Sequence, residues 1–479
     1  MFDDKSLVGL IAESARAEAR AAAARLDAIG GLYRLRVAEH GQRGEWAADT
    51  CDEVAAEVAA VLRTSVAMGH SNLRYARAMH ERLPLVADAF RAGDIDFRVF
   101  RALVFRTDLV TDETALAAVD GALAVRVRRW PSMTARRLAD LIDRVVVMVD
   151  PDARRRTRQD VADRFVEVSE VDNGLCWVNG VVFSSAGRAL DLRLNELAAT
   201  VCSGDPRTVP QRRADALGAL AAGADRLRCG CGDAGCALAA VESRSAVVVH
   251  VVADRATVEG IGDSPGVIDG GGLIPAEVVR ELAATARCRP LVVPSDSVGE
   301  PRYRPSAGLA EFVRARDLTC RAPGCDRPAR GCDLDHTVAY SDGGLTHASN
   351  LKCLCRQHHL LKSFWRWRDR QLPDGTVIWT APSGHQYVTT PGSAVLFPTL
   401  TVSTGDLPTA GRDLDTVDRT GDRAAMMPRR SRTRAECRTA RILAERTLNQ
   451  SIREQRSRNL EQWLTGIQPA GPGEEPPPF

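Results

Sequence analysis

The sequence predicts a multidomain α+β protein in three parts. A mostly α-helical N-terminal domain with a small sheet (1–305) is followed by a compact cysteine- and histidine-rich module (306–395). An arginine-rich tail, part helical and part disordered, completes the chain (396–479). Three observations carry this prediction. At 479 residues, the chain is about three times a typical domain of ~150. The apolar period changes from helical to alternating near Gly174, and eight of the 13 cysteines fall in two clusters, Cys229–Cys236 and Cys320–Cys355.

Composition narrows the class. With 44% hydrophobic and 26% charged residues, the chain can bury a sizeable core, which excludes disorder throughout. Lys plus Arg at 64 against Asp plus Glu at 62 leaves +2, so any attraction to a polyanion must come from a local patch. The longest apolar stretch, around Ala246–Val252, falls far short of the ~20 residues a spanning helix needs. Asp3, Asp4 and Glu13 stand where a signal peptide would be basic and then apolar. The expectation is a cytoplasmic protein with no membrane partner, whose cysteines serve as metal ligands or buried thiols.

In chain order, Leu26, Ile29 and Tyr33, then Val54, Val58 and Val61, recur at helical spacing up to about residue 165. Thr50 with Glu53 reads as a capping box opening the second helix. Leu175–Val178 and Val181–Ser184 read as strands joined by the Asn179-Gly180 turn. Ser245–Val252 reads as a third strand, with helices at Leu190–Val201, Pro210–Ala222 and Ala276–Ala286. Pro294–Ser306 has linker composition. Pro373-Asp374-Gly375 turns a hairpin carrying Trp365, Trp367 and Trp379, which read as packing residues, with stacking on bases as the alternative. Between Pro428 and Arg458, ten Arg face three Glu. That stretch could form a helix that docks a partner or a nucleic acid. The final residues, Gly471–Phe479, are Pro- and Glu-rich and expected to be disordered.

The chemistry concentrates between Cys320 and Lys362. Cys320 and Cys325 form a C-x4-C pair, and Cys355 and His358 a C-x2-H pair, which together match a structural zinc site. Cys332 and Cys353 lie off this spacing and read as packing residues, although Cys353 could compete with Cys355. Adjacent helical residues diverge by about 100°, so His359 cannot easily serve the same ion as His358. Arg356, His359 and Lys362 then line a neighbouring face. Asp335-His336 and Asn350 complete the set. From Leu351 to Arg370 six cations face one Asp, so a phosphate nearby is electrostatically welcome.

These residues resemble the HNH endonuclease family, with His336, Asn350 and His359 as the named letters, separated by thirteen and eight residues. The resemblance implies a C-terminal ββα-metal (HNH) zinc module that cleaves DNA phosphodiester bonds. It implies His336 as general base, Asp335 and His359 as holders of a catalytic Mg²⁺ or other divalent ion, and Asn350 as the residue that fixes the loop. A neutral imidazole and an ion with open positions make this chemically sensible. Arg356 and Lys362 are the expected phosphate contacts, DNA the expected partner, and no small-molecule cofactor is expected. Asp335 and His336 would point to opposite faces of a flat strand, so both reach one site only if the strand bends there.

More narrowly, Gln211-Arg212-Arg213-Ala214-Asp215-Ala216-Leu217, Cys332-Asp333-Leu334-Asp335-His336-Thr337 and Leu354-Cys355-Arg356-Gln357-His358-His359 are similar to the actinobacterial 13E12-repeat proteins. These join domain of unknown function 222 to an HNH domain, over roughly residues 20–398 here. The alternative function is a zinc-stabilised DNA-binding module that does not cut. Cys229, Cys231 and Cys236 could form a second zinc site, with Cys202, His250 or Cys288 as fourth ligand. His40, His70 and His80 show no ligand spacing.

Overall fold

The computed structural model describes residues 3–130, 133–155, 164–171, 174–238, 248–268, 272–284, 286–294, 298–405 and 424–466. Seven helices open the chain: α1 (Asp4–His40), α2 (Thr50–Leu62), α3 (Val66–Glu81), α4 (Pro84–Ala92), α5 (Phe97–Arg106), α6 (Glu113–Val127) and α7 (Ala135–Val149). Leu26, Ile29, Val54, Phe90, Phe100, Leu103 and Leu123 bury in one core among them. Val54 and Val58 face it as their spacing predicts, whereas Val61 is exposed.

The capping box of α2 sits one residue earlier than expected. Asp49 is the cap and accepts from the Asp52 amide, while the Asp52 carboxylate accepts from the Asp49 amide. Thr50 instead donates to the Gly41 carbonyl at 2.7 Å. A carboxylate fills the cap as well as a hydroxyl does, and here the aspartate pair wins. Almost every residue of α2 is buried, because its Val54 and Val58 face the first core while Ala56 and Ala60 face a second. The second core is centred on Phe312, Leu351, Trp365, Trp367 and Trp379. Its helix neighbour α3 approaches closely enough that a side chain at Gly69 would collide with the Ala55 carbonyl.

The sheets are small and separate. β1 (Phe165–Val171) and β2 (Leu175–Val181) pair antiparallel from Phe165↔Val181 to Val171↔Leu175. The expected Asn179-Gly180 turn is therefore wrong: both residues lie inside β2, and the reversal falls just before Leu175, where Gly174 takes φ +76°. Val182 onward joins α8 (Ser184–Ala198) instead of a strand, and α9 (Val209–Ala221) follows. Next come β3 (Val251–Val252), α10 (Arg255–Val258), β4 (Gly266–Ile268), β5 (Leu273–Ile274) and α11 (Ala276–Ala283), with β3, β4 and β5 in one sheet. Residues 245–247 of the expected third strand lie outside the described residues.

The C-terminal module begins with α12 (Ala307–Asp317). β6 (Asp333–His336) and β7 (Leu351–Leu354) then pair antiparallel, with Asp335 opposite Lys352, and α13 (Arg356–Phe364) follows at once. β8 (Arg368–Gln371), β9 (Val377–Thr380) and β10 (Gln386–Thr389) form the second sheet of the module, with β9 central. The β8–β9 hairpin turns where expected, and Trp365, Trp367 and Trp379 are packed in the core.

The last helix, α14 (Arg434–Gly466), lies along the N-terminal helices. Ile442 enters the first core, and Arg438, Arg446 and Arg453 pair with Asp108, Asp150 and Asp152. Among the described residues, no helix is long and apolar enough to cross a membrane.

Candidate functional site

A four-ligand cluster stands at the root of the site. The turn after α12 carries Cys320 and Cys325, and the first turn of α13 carries Cys355 and His358. Their ligand atoms all lie within 4.8 Å of one another. His358 turns Nδ1 inward, 3.3 Å from Cys355 Sγ and 3.5 Å from Cys320 Sγ. This set could hold a metal ion. Cys353 is excluded from it: its amide donates to Asp317 Oδ2 at 2.8 Å and its thiol is buried toward Val313 of α12. Cys332 is not one of the four, and its thiol donates to the carbonyl of Pro328 at 3.3 Å.

Asp335 and His359 meet beyond this cluster. Asp335 Oδ1 lies 3.5 Å from His359 Nε2. The other nitrogen of that ring, Nδ1, donates to Asp333 Oδ2 at 2.8 Å, which leaves the Nε2 lone pair facing Asp335. Asp335 Oδ2 accepts from Lys352 Nζ at 2.7 Å and Lys362 Nζ at 2.6 Å. Burial would raise the Asp335 carboxyl, but the ammonium groups of Lys352 and Lys362 outweigh it and hold it well below the usual carboxylate range. It stays ionised.

Lys362, expected to reach phosphate, is spent within the module. Its ammonium donates to Asp335 and to the His336 carbonyl and pairs with Asp369 at 3.2 Å, which uses all three protons. Burial pulls its pKa down, but Asp369 and Asp335 outweigh that and raise it. Arg356 behaves differently. Its guanidinium is largely exposed, 3.6 Å from Asp333, at the mouth of the site.

His336 occupies other surroundings than Asp335, as strand alternation requires. Its Nε2 lies 2.9 Å from Thr346 Oγ1, and the Thr346 hydroxyl donates to the Tyr303 carbonyl at 3.4 Å. The Thr346 contact occupies Nε2, and in the tautomer that carries its proton there Nδ1 is the basic nitrogen. The Tyr303 ring stacks on the imidazole at 5.3 Å, and Tyr340 meets it edge-on at 5.9 Å. Burial lowers the pKa of His336, with Asp335 opposing.

Asn350 clamps the loop between the two strands. It accepts from the Val338 amide at 2.8 Å and donates to the carbonyls of Val338 and Leu345 at 3.0 and 2.8 Å. Sequence reasoning missed Asp333, Lys352, Asp369, Thr346 and Tyr303. Asp333 and Lys352 did carry a signal. Asp333 is two residues before Asp335 on the same face of β6, and Lys352 is one of only three lysines in the chain. Tyr303 comes from the segment read as a linker, and nothing in its spacing marked it.

The chain belongs to the family described as "Domain of unknown function (DUF222)", whose model matches residues 13–317. The match runs through α12, beyond the boundary at residue 305 expected from composition. Among relatives, the uncharacterized protein Rv2100 of Mycobacterium tuberculosis is 44% identical, covering 95% of this chain and 90% of the relative. The uncharacterized protein Rv3776 of the same organism is 45% identical, covering 93% and 90%. No solved structure matches.

Proposed function

We propose that the protein is a metal-dependent endonuclease of the HNH class, of the 13E12-repeat kind, that hydrolyses DNA phosphodiester bonds. One observation carries the reading: Asp333 turns the Nε2 lone pair of His359 toward the ionised Asp335. Two donors so oriented fit a divalent ion that keeps positions for water and a phosphate oxygen. Such an ion, Mg²⁺ or another, would offset charge on the scissile phosphate and the leaving oxygen. The cluster of Cys320, Cys325, Cys355 and His358 suits structural Zn²⁺, with every position filled by protein.

In this mechanism His336 Nδ1 removes a proton from the attacking water, while Thr346 holds the ring by its other nitrogen. Water oxygen bonds to phosphorus as the bond to the leaving oxygen breaks, and the leaving oxygen takes a proton from solvent. Asn350 keeps the loop after His336 in place, and Arg356 lies where a flanking phosphate would pass. A plasmid-nicking assay with Mg²⁺, Mn²⁺ and chelator tests the proposal. His336→Ala should cut at least ~10²-fold more slowly with little change in DNA affinity. A second reading, a DNA-binding module that does not cut, draws support from the burial of His336 beneath Tyr303. Wild-type protein that binds DNA but nicks it with no divalent ion would establish that second reading.

A further inference from the structure

We infer a second structural zinc site, built from four thiolates in the N-terminal region: Cys202, Cys229, Cys231 and Cys236. Their sulfurs all lie within 4.8 Å of one another, with Cys202 and Cys229 at 3.4 Å. Four thiolates at ~2.3 Å from one tetrahedral ion would be ~3.8 Å apart, so the cluster needs little adjustment to close on zinc. Of the three candidates for the fourth ligand, only Cys202 is present. His250 lines a separate cleft with Arg314 and Arg330, and Cys288 is exposed.

The surrounding backbone is built to bring these thiols together. Cys202 follows α8, and the other three lie on a turn after α9. That turn is closed by the Cys229 amide donating to the Leu238 carbonyl at 2.9 Å and the Cys236 amide to the Asp233 carbonyl at 3.1 Å. Gly232, between Cys231 and Cys236, takes φ +75°, which a side chain would disfavour. Asp205 joins the two halves by accepting from the Gly230 amide at 2.8 Å. Arg207 grips the same aspartate with two nitrogens and donates to the Arg228 carbonyl. The Thr200 hydroxyl accepts from the Leu227 amide at 2.8 Å.

Packing gives the reason for a metal here. The buried apolar cluster joining α8 and α9 consists, among the described residues, of Leu194, Leu197 and Ala216, with Leu217 against it. So small a core cannot offset the ordering entropy of two helices and a loop of about ten residues, and small units commonly add a metal cross-link. The all-sulfur donor set selects zinc over harder ions.

The test uses the purified full-length chain. Elemental analysis should give two zinc ions per chain, and Cys202→Ser should reduce this to one. Peptide-resolved alkylation of the wild type should find Cys202, Cys229, Cys231 and Cys236 protected until a chelator is added, separately from Cys320, Cys325 and Cys355. This second measurement needs no variant, so it decides the matter even if Cys202→Ser does not fold. Equal alkylation of the four with and without chelator would overturn the inference. So would a Cys202–Cys229 disulfide seen as the loss of two hydrogens, or iron in place of zinc.

Discussion

His359 and Asp333 are joined by a 2.8 Å hydrogen bond from Nδ1 to Oδ2, and this bond decides which ring nitrogen faces Asp335. A carboxylate behind a ligating histidine fixes its tautomer and raises its basicity. Asp333→Ala should therefore raise the divalent-ion concentration needed for half-maximal nicking by roughly 10- to 100-fold. Cleavage at saturating metal should suffer much less. A metal titration of nicking rate checks this, and an unchanged midpoint would remove Asp333 from the site.

Tyr303 stacks on His336 at an interplanar angle of 15°, and Glu300 of the same segment bridges to Thr346 through its backbone. Ring stacking of this kind contributes about 0.5–1.5 kcal/mol beyond area burial. Tyr303→Ala should uncover the imidazole, so that diethyl pyrocarbonate modifies His336 several-fold faster than in wild type. Peptide mass spectrometry reads the rate directly. Equal rates would mean that Tyr303 does not limit access.

How much of this was legible follows from distance along the chain. The cluster of Cys320, Cys325, Cys355 and His358, which could hold a metal ion, was readable because two short clips carry their own spacing. Asn350 was readable because its loop-holding role needs only the neighbouring Val338 and Leu345. The N-terminal helices followed from periodicity, but their boundaries depended on local competition: Asp49 displaced Thr50 as cap, and the turn before Leu175 displaced Asn179-Gly180. Lys362 was misjudged because a charge count sets six cations against Asp369 without showing that this aspartate and Asp335 both pair with Lys362. Cys202 could not be chosen over His250 or Cys288 until α8 and α9 were placed in space.

Lys352 gives a sharp stability test. Its side chain is fully buried and its ammonium pairs with Asp335 and Asp369. Removing one partner of a buried ionic group leaves the others uncompensated, which costs about 3–5 kcal/mol. Lys352→Met should lower the stability of the module by that order, as followed by denaturant unfolding of the tryptophan fluorescence of Trp365, Trp367 and Trp379. A loss below ~1 kcal/mol would show that Lys362 alone compensates both carboxylates.

Asp52 binds the chain together. Its Oδ1 accepts from Gln357 Nε2 at 2.9 Å across 305 positions, and also meets His70 at 3.1 Å, while Oδ2 accepts from Arg430 at 2.8 Å. Arg434 pairs with both Asp49 and Asp52. The N-terminal helices, the C-terminal module and the tail thus share one buried carboxylate. Asp52→Ala should cost about 2–3 kcal/mol, a figure reduced because both guanidinium groups are partly exposed and can turn to water. It should also free α14 for limited proteolysis.

The pH dependence of that docking has a definite sign. Burial would raise the Asp52 pKa, but His70 and Arg434 outweigh it and hold the group below the ordinary carboxylate range. A depressed folded value means that its stabilisation is present above the unfolded pKa of ~3.9 and is lost only as pH falls through the lower value. Asp49 shifts the other way, raised by burial and by the charge of Asp52, so its contribution to folding is lost as pH rises; Arg434 and Arg430 oppose that shift, so in acid Asp49 gives up its part of the docking while Asp52 keeps its own. Wild-type α14 should therefore stay protease-resistant at pH 4, and the Asp52→Ala tail should be cut at pH 4 and pH 7 alike. The same pairing bears on DNA. Arg430, Arg434, Arg438, Arg441, Arg446 and Arg453 already face aspartates. Deleting residues after Pro428 should then change the salt slope of DNA binding by far less than the ~0.9 per cation that free arginines would give. A slope change of roughly 5 or more, ~0.9 for each of these six arginines, would show that the tail leaves its aspartates to bind phosphate.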